Sequence, residues 1–154
     1  EVDMFRLTAA TADGANADIT ANLERCDDPS FAKIGTGMSQ SSGIFTFPMP
    51  GLYEVKVMIL VDARDGDGTA EVFTQVTLNN SSYDIVSAAI AGDDAGTNGV
   101  QTNAYSQCFV NVTNTSNVKV KFTTNSMGSS SHLEGSTNQN QTSFSFVRMG
   151  PAET

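Results

Sequence analysis

The sequence has few of the side chains on which metal centres and membrane spans depend. Its 154 residues include no tryptophan, one histidine and two cysteines, and 16% of them are charged. So few histidines and cysteines supply no Cys/His cluster, and we do not expect a zinc site. No apolar stretch is long enough for a transmembrane helix, and no basic segment precedes an apolar one as in a signal peptide. We therefore expect no insertion into a membrane.

Basic residues are also scarce. The chain has 8 lysines and arginines against 17 aspartates and glutamates, which gives a formal net charge of −9. Phosphate backbones and anionic lipid headgroups repel such a surface. Nucleic acids and anionic membrane surfaces are therefore excluded as expected partners.

Small polar residues are abundant, whereas charged residues are few. Hydrophobic residues make up 39% of the chain, and much of the rest is serine, threonine, asparagine and glycine, which favour turns and solvent-facing strand positions. No segment of useful length has the hydrophobic period of a helix. We predict one all-β domain over residues 1–154. About eight to ten short antiparallel strands would form a sandwich or jelly roll.

Alternation of apolar and polar residues places these strands along the chain. The first strand lies within residues 1–23, which are also a candidate attachment segment. Residues 123–142 are almost entirely small and polar, and this composition predicts a long surface loop. The predicted strands cover residues 4–8, 19–23, 31–34, 45–47, 52–61, 70–78, 83–91, 105–112, 118–122 and 143–149.

The segment 42–57 carries the most information about the fold. Phe45 and Phe47 alternate with polar neighbours, so both rings can enter a core from one face of a strand. Two prolines then end the strand because they have no N–H to donate, and Gly51 allows a turn at positive φ. A longer strand follows, with one apolar face formed by Tyr53, Val55, Val57, Ile59 and Val61.

The spacing of five of these residues resembles the core signature of C1q/TNF-like jelly-roll domains. They are Phe45, Gly51, Tyr53, Val55 and Val57. The two last valines occupy positions where many C1q domains have aromatic residues, and the sequence contains no collagen-like Gly-x-y repeat. The resemblance therefore points away from the animal complement-type architecture.

Three further segments, residues 24–38, 41–48 and 141–150, are similar to virion structural proteins of marine tailed phages, cyanophages among them. The resemblance implies a jelly roll that assembles as a trimer about a three-fold axis and has no catalytic residues. The expected function is that of a non-enzymatic virion protein on the particle surface, either a capsid decoration or the knob of a head or tail fibre. Its expected partners are further copies of itself as a homotrimer, other virion proteins, and a host-surface glycan or protein.

A second interpretation assumes the same fold but places the protein outside a cell rather than on a virus particle. The chain would then be an extracellular C1q-like recognition or adhesion module that binds a glycan or a protein through its loops. A disulfide between Cys26 and Cys108 would favour this interpretation. Cys108 lies in a predicted core strand, however, where a free thiol packs as a small hydrophobic side chain, and both alternatives remain open.

Clustered aspartates are the candidate metal ligands. Asp62, Asp65 and Asp67 crowd one turn, and carboxylates of this kind suit calcium. The EF-hand pattern fails, because Arg64 occupies its third position and Phe73 its twelfth. We expect no cofactor, with a weak calcium site or a solvated hairpin tip as the alternatives at these three residues.

His132 is the candidate base for catalysis. Together with a serine and Glu134 it suggests a Ser/His/acid arrangement, but it lies in the predicted polar loop. A triad requires its base to be held rigidly against the nucleophile. We therefore expect a solvated histidine and no enzymatic activity.

Aromatic residues on strands are candidates for a trimer interface. Tyr53, Tyr105 and Phe146 are the residues predicted to lie there. A tyrosine ring can pack against another subunit while its hydroxyl stays hydrogen-bonded or wet. Burial in the core of a single subunit is the alternative for all three.

Overall fold

β-Strands form the secondary structure of this computed structural model, which describes residues 1–64, 68–92 and 99–154. Those residues contain eleven strands and no helix, and so no helix that is long and apolar enough to cross a membrane. The prediction of an all-β jelly roll is confirmed. The strands are β1 Val2–Leu7, β2 Leu23–Arg25, β3 Ser39–Ser41, β4 Ile44–Thr46, β5 Gly51–Ala63, β6 Thr69–Thr77, β7 Asp84–Gly92, β8 Val100–Val112, β9 Lys119–Asn125, β10 His132–Leu133 and β11 Ser143–Gly150.

The strands form two antiparallel sheets that pack face to face. In the first sheet the order is β8, β5, β11, β1 and β2, and the short β10 pairs with the end of β5 beyond β11. In the second sheet the order is β3, β4, β9, β6 and β7. β7 and β8 lie next to each other at one edge, where the two sheets meet.

The core between the sheets forms because β5 alternates strictly along most of its length. Its odd-numbered side chains from 53 to 61 are buried, while Leu52, Lys56 and Met58 point outward. Phenylalanine rings from both sheets fill the centre. Phe45 from the second sheet lies 5.1 Å from Phe5 and 5.2 Å from Phe146, measured between ring centroids.

Two charged side chains are buried at the rim of the first sheet. The Asp3 carboxylate accepts hydrogen bonds from Arg25 Nε at 2.8 Å and from the backbone N–H of Met38 at 2.7 Å. The Arg6 guanidinium, only 2% exposed, donates from Nε to the Glu24 carboxylate at 2.8 Å. Because β2 carries both Glu24 and Arg25, these bonds fasten β2 to β1.

Gly51 is required for a reason other than the one predicted. Its φ is not positive. It begins β5, and a Cβ atom at this position would lie 2.4 Å from Arg148 Nε and 2.8 Å from the carbonyl oxygen of Gly150. Close approach of β11, rather than a turn, therefore selects glycine.

The N-terminal third contains the largest errors in the predicted strands. The strand predicted at 19–23 lies instead at Leu23–Arg25. Ile19 is outside any strand, and its N–H donates to the carbonyl of Phe122. The segment 31–34 is not a strand, although Ile34 forms an isolated bridge with Val2. β3 and β4 form a hairpin that turns at Ser42 and Gly43, where φ is 48° and 77°, and β3 lies where no strand was predicted.

The predicted polar loop at 123–142 is only partly a surface loop. β9 continues to Asn125 and β10 lies within the segment. Leu133 and Ser131 are fully buried. β8 likewise begins at Val100, earlier than predicted. Each of these strand segments pairs with a strand that is distant in the sequence. This pairing stabilises the segment although it has few apolar residues.

Different parts of the chain meet at the two ends of the domain. Glu1 lies beside the last strand, because its carbonyl accepts a hydrogen bond from the N–H of Arg148 at 2.9 Å. The start of β5 lies at this same end, where Gly51 and Leu52 are close to Gly150. The opposite end is reached at Asp62, which pairs with His132.

Candidate functional site

Four apolar side chains are exposed on the outward faces of β5 and β8. Tyr105 is 79% exposed and Phe109 is 59% exposed. In the register of the two strands, Met58 lies opposite Tyr105. Leu52 and Met58 add partly exposed apolar side chains from β5. We call these four residues, on the outer side of the first sheet, the apolar face.

A groove runs along this side of the sheet. Its volume is about 780 Å³, and Tyr105 and Met58 line it together with Met4 of β1. Ser143 and Ser145 of β11 also line it. Since their side chains are short and lie between those of longer residues on β5 and β1, the surface is concave there.

Apolar side chains are also exposed at the edge where β7 and β8 meet. Phe109 lines a second groove, of about 430 Å³, with Leu78 and Val86. Further exposed apolar side chains on β7 are Ile85 and Ile90. Exposed apolar side chains therefore occur both on the face of the first sheet and at the edge of the sandwich.

These surfaces carry very little charge compared with the rest of the molecule. β8 contains no charged residue, and Asp84 is the single charged residue of β7. On the outward face of β5, Glu54 and Lys56 pair with each other at 3.1 Å. The net charge of −9 is therefore concentrated elsewhere, and repulsion between two copies would be weakest here.

The three predicted interface residues differ in their exposure to solvent. Tyr53 and Phe146 are each 1% exposed within their own chain, which matches the alternative of burial in the core of a single subunit. The Tyr53 hydroxyl donates to the carbonyl of Met49 at 2.9 Å, and burial raises its pKa. A side chain enclosed by its own subunit has no area left to bury against another. Tyr105 is exposed, and its role at an interface stays a prediction.

Both cysteines are free thiols. Cys26 is buried and Cys108 is half-buried, and desolvation raises the pKa of both thiols. A raised pKa lowers the thiolate fraction at neutral pH, which makes both side chains poorly reactive. The structure therefore matches the packed-thiol alternative rather than the disulfide.

A cluster of titratable side chains occupies the end of the sandwich near Asp62. The Asp62 carboxylate accepts hydrogen bonds from Arg64 at 3.0 and 2.8 Å, and these bonds lower the pKa of Asp62. The other two predicted calcium ligands, Asp65 and Asp67, lie outside the described residues.

His132 belongs to the same cluster. Its Nδ1 lies 2.8 Å from Asp13, and its Nε2 lies 3.6 Å from Glu134. Both ring nitrogens therefore face carboxylates, which is not the arrangement of a Ser/His/acid triad. Sequence reasoning missed Asp13, because it is 119 positions from His132 and no local pattern connects them.

The two antiparallel sheets form a TNF-like jelly-roll sandwich. No family model and no curated protein matches the sequence. Among solved structures, the chain is similar to the Eiger TNF from S. frugiperda, with 13% identity, 99% of this chain and 94% of that chain covered, and a TM-score of 0.71. It is also similar to murine APRIL at pH 5.0, with 12% identity, 96% and 98% coverage, and a TM-score of 0.67. At such low identity the similarity shows the fold alone.

Proposed function

We propose that this chain is a non-enzymatic assembly module that forms a homotrimer through its apolar face and the adjoining edge. The observation that carries the proposal is the exposed, uncharged outer surface of β8, centred on Tyr105 and Phe109. Monomeric soluble proteins rarely expose a large apolar surface to water. Burial against another copy removes it from solvent.

The two parts of the surface suit a cyclic arrangement. The groove lies on the sheet face and is concave, whereas the β7/β8 edge is a different surface with protruding side chains such as Ile85. When two different surfaces of one chain bind each other head to tail, the copies form a ring if the rotation between them closes and an open filament if it does not. The resemblance to C1q/TNF-like domains implies that the ring contains three copies.

The setting that we favour is the outside of a phage particle, as a capsid decoration or fibre knob. This setting is suggested by the resemblance to phage virion proteins that the sequence of residues 24–38, 41–48 and 141–150 implies. An acidic exterior also suits a position away from packaged DNA. The similarity in fold to Eiger TNF and APRIL favours a second candidate, an extracellular recognition module that uses the same trimer.

The proposed trimer is tested by substituting Tyr105 with aspartate. We expect the wild-type chain to have the mass of three copies in light scattering coupled to size-exclusion chromatography. Placing a carboxylate in the buried centre of the interface would weaken association at least 100-fold, or about 3 kcal/mol, and give monomers.

The control is Ser41→Asp, which adds the same charge at an exposed position on the second sheet. It should remain trimeric. A wild-type monomer at micromolar concentration, or a Tyr105→Asp chain that is as trimeric as Ser41→Asp, would contradict the proposal. An antibody against the chain then separates the two settings: it labels purified particles if the protein is a virion component, and only the particle-free fraction if it is a recognition module.

A further inference from the structure

We infer that Asp62, His132 and Glu134 form a binding site for a divalent transition metal ion such as Zn²⁺. Each residue offers one ligand atom, and the three atoms lie within 4.8 Å of one another. Two ligands of a tetrahedral zinc ion are about 3.4 Å apart when each is about 2.1 Å from the metal. His132 Nε2 and the nearest oxygen of Glu134 are 3.6 Å apart, already close to that spacing.

Asp13 holds the histidine in the orientation that such a site requires. Its carboxylate lies 2.8 Å from His132 Nδ1. An imidazole that donates from Nδ1 to a carboxylate presents the lone pair of Nε2, and this arrangement is typical of metal-bound histidines. Nε2 lies 3.6 Å from the Glu134 carboxylate, and the His132 side chain is only 16% exposed.

The electrostatics of the cluster also favour a cation. Asp62 and Glu134 bring two carboxylates close together, and Asp13 adds a third beside the imidazole. Arg64 neutralises one of them by pairing with Asp62. The Gln101 amide donates to Glu134 at 3.3 Å, which leaves its charge in place. A metal ion would compete with Arg64 for Asp62, and Arg64 therefore limits the affinity.

The nitrogen ligand determines which ions fit. Calcium binds six to eight oxygen atoms, whereas an imidazole with two carboxylates suits zinc and its neighbours in the first transition series. The sequence analysis did not predict zinc, because the chain has no Cys/His cluster. The site arises because β10 pairs with β5 and brings His132 opposite Asp62. It does not depend on the trimer.

Calorimetric titration of the full chain with ZnCl₂, after dialysis against EDTA, tests the site. We expect saturable binding of one ion per chain, and visible absorption bands of tetrahedral cobalt when Co²⁺ replaces Zn²⁺. His132→Ala should weaken binding at least 100-fold and remove those bands. Asp13→Asn, which leaves all three ligands in place, should weaken binding about 10- to 100-fold. Arg64→Ala should strengthen it several-fold.

Two matched variants control for net charge. Asp84→Asn makes the same chemical change as Asp13→Asn at an exposed position on β7, and Lys33→Ala removes an exposed positive charge as Arg64→Ala does. Both should bind like the wild type. The proposal is overturned if the wild type shows no saturable binding, if His132→Ala binds as the wild type does, or if Asp13→Asn and Asp84→Asn have equal affinities.

Discussion

Replacement of Phe45 with alanine is expected to destabilise the domain by about 4 kcal/mol, because it removes a large side chain from a site that cannot collapse. Phe45 is 0% exposed, and its ring contacts rings from both sheets. Phe122 lies 5.6 Å away, and Phe5 and Phe146 are closer still. Loss of the ring therefore opens a cavity between the sheets. Urea denaturation followed by circular dichroism measures the change.

Phe31→Ala is the matched control for this prediction. Phe31 is half-buried in a connection outside the core, so the same truncation should cost about 1 kcal/mol. If the two variants lose similar stability, Phe45 is not the centre of the core. The comparison also tests the packing of the two sheets, because Phe45 and Phe122 are aromatic residues of the second sheet that contact rings of the first.

Replacement of Asp3 with asparagine is expected to cost about 3 kcal/mol in the free energy of unfolding. The substitution keeps the shape of the side chain but removes a buried negative charge that accepts bonds from Arg25 and from the N–H of Met38. Arg25 then loses its charged partner and keeps only its bond to the Met38 carbonyl and its contact with the Phe5 ring. Loss of this anchor should also free β2, which would be seen as faster hydrogen exchange at Glu24.

Asp84→Asn is the control, since the carboxylate of Asp84 is exposed on β7. It should change the stability by less than about 0.5 kcal/mol. A loss for Asp3→Asn no larger than that of Asp84→Asn would show that the buried pair does not hold β2 in place.

The sequence predicted the fold where the signal was local. Alternation at Phe45 and Phe47, and again from Tyr53 onward, is enough to show which side chains point inward. Short strands with polar sequences were missed or misplaced. β2 and β3 are only three residues long, and they exist because a neighbouring strand pairs with them. No alternation can appear in so short a polar segment.

The candidate sites were harder to predict for a related reason. Alternation shows that Tyr53 shares a face with Val55, but it does not show whether that face meets the chain's own second sheet or another subunit. The structure shows that it meets the second sheet. The cluster around His132 depends on a two-residue strand that pairs with Asp62, seventy positions earlier in the chain. A pairing of this kind leaves no trace in the local sequence.

The position of the two chain ends determines how the domain responds to mechanical tension. β1 and β11 are neighbours that run in opposite directions, so Glu1 and Gly150 lie at the same end of the first sheet. A force that pulls these ends apart acts along the hydrogen bonds between the two strands and breaks them one after another. A force between one end and the outer face of β8 is instead shared by several strands at once. The domain therefore resists tension best when it is held by a single terminus.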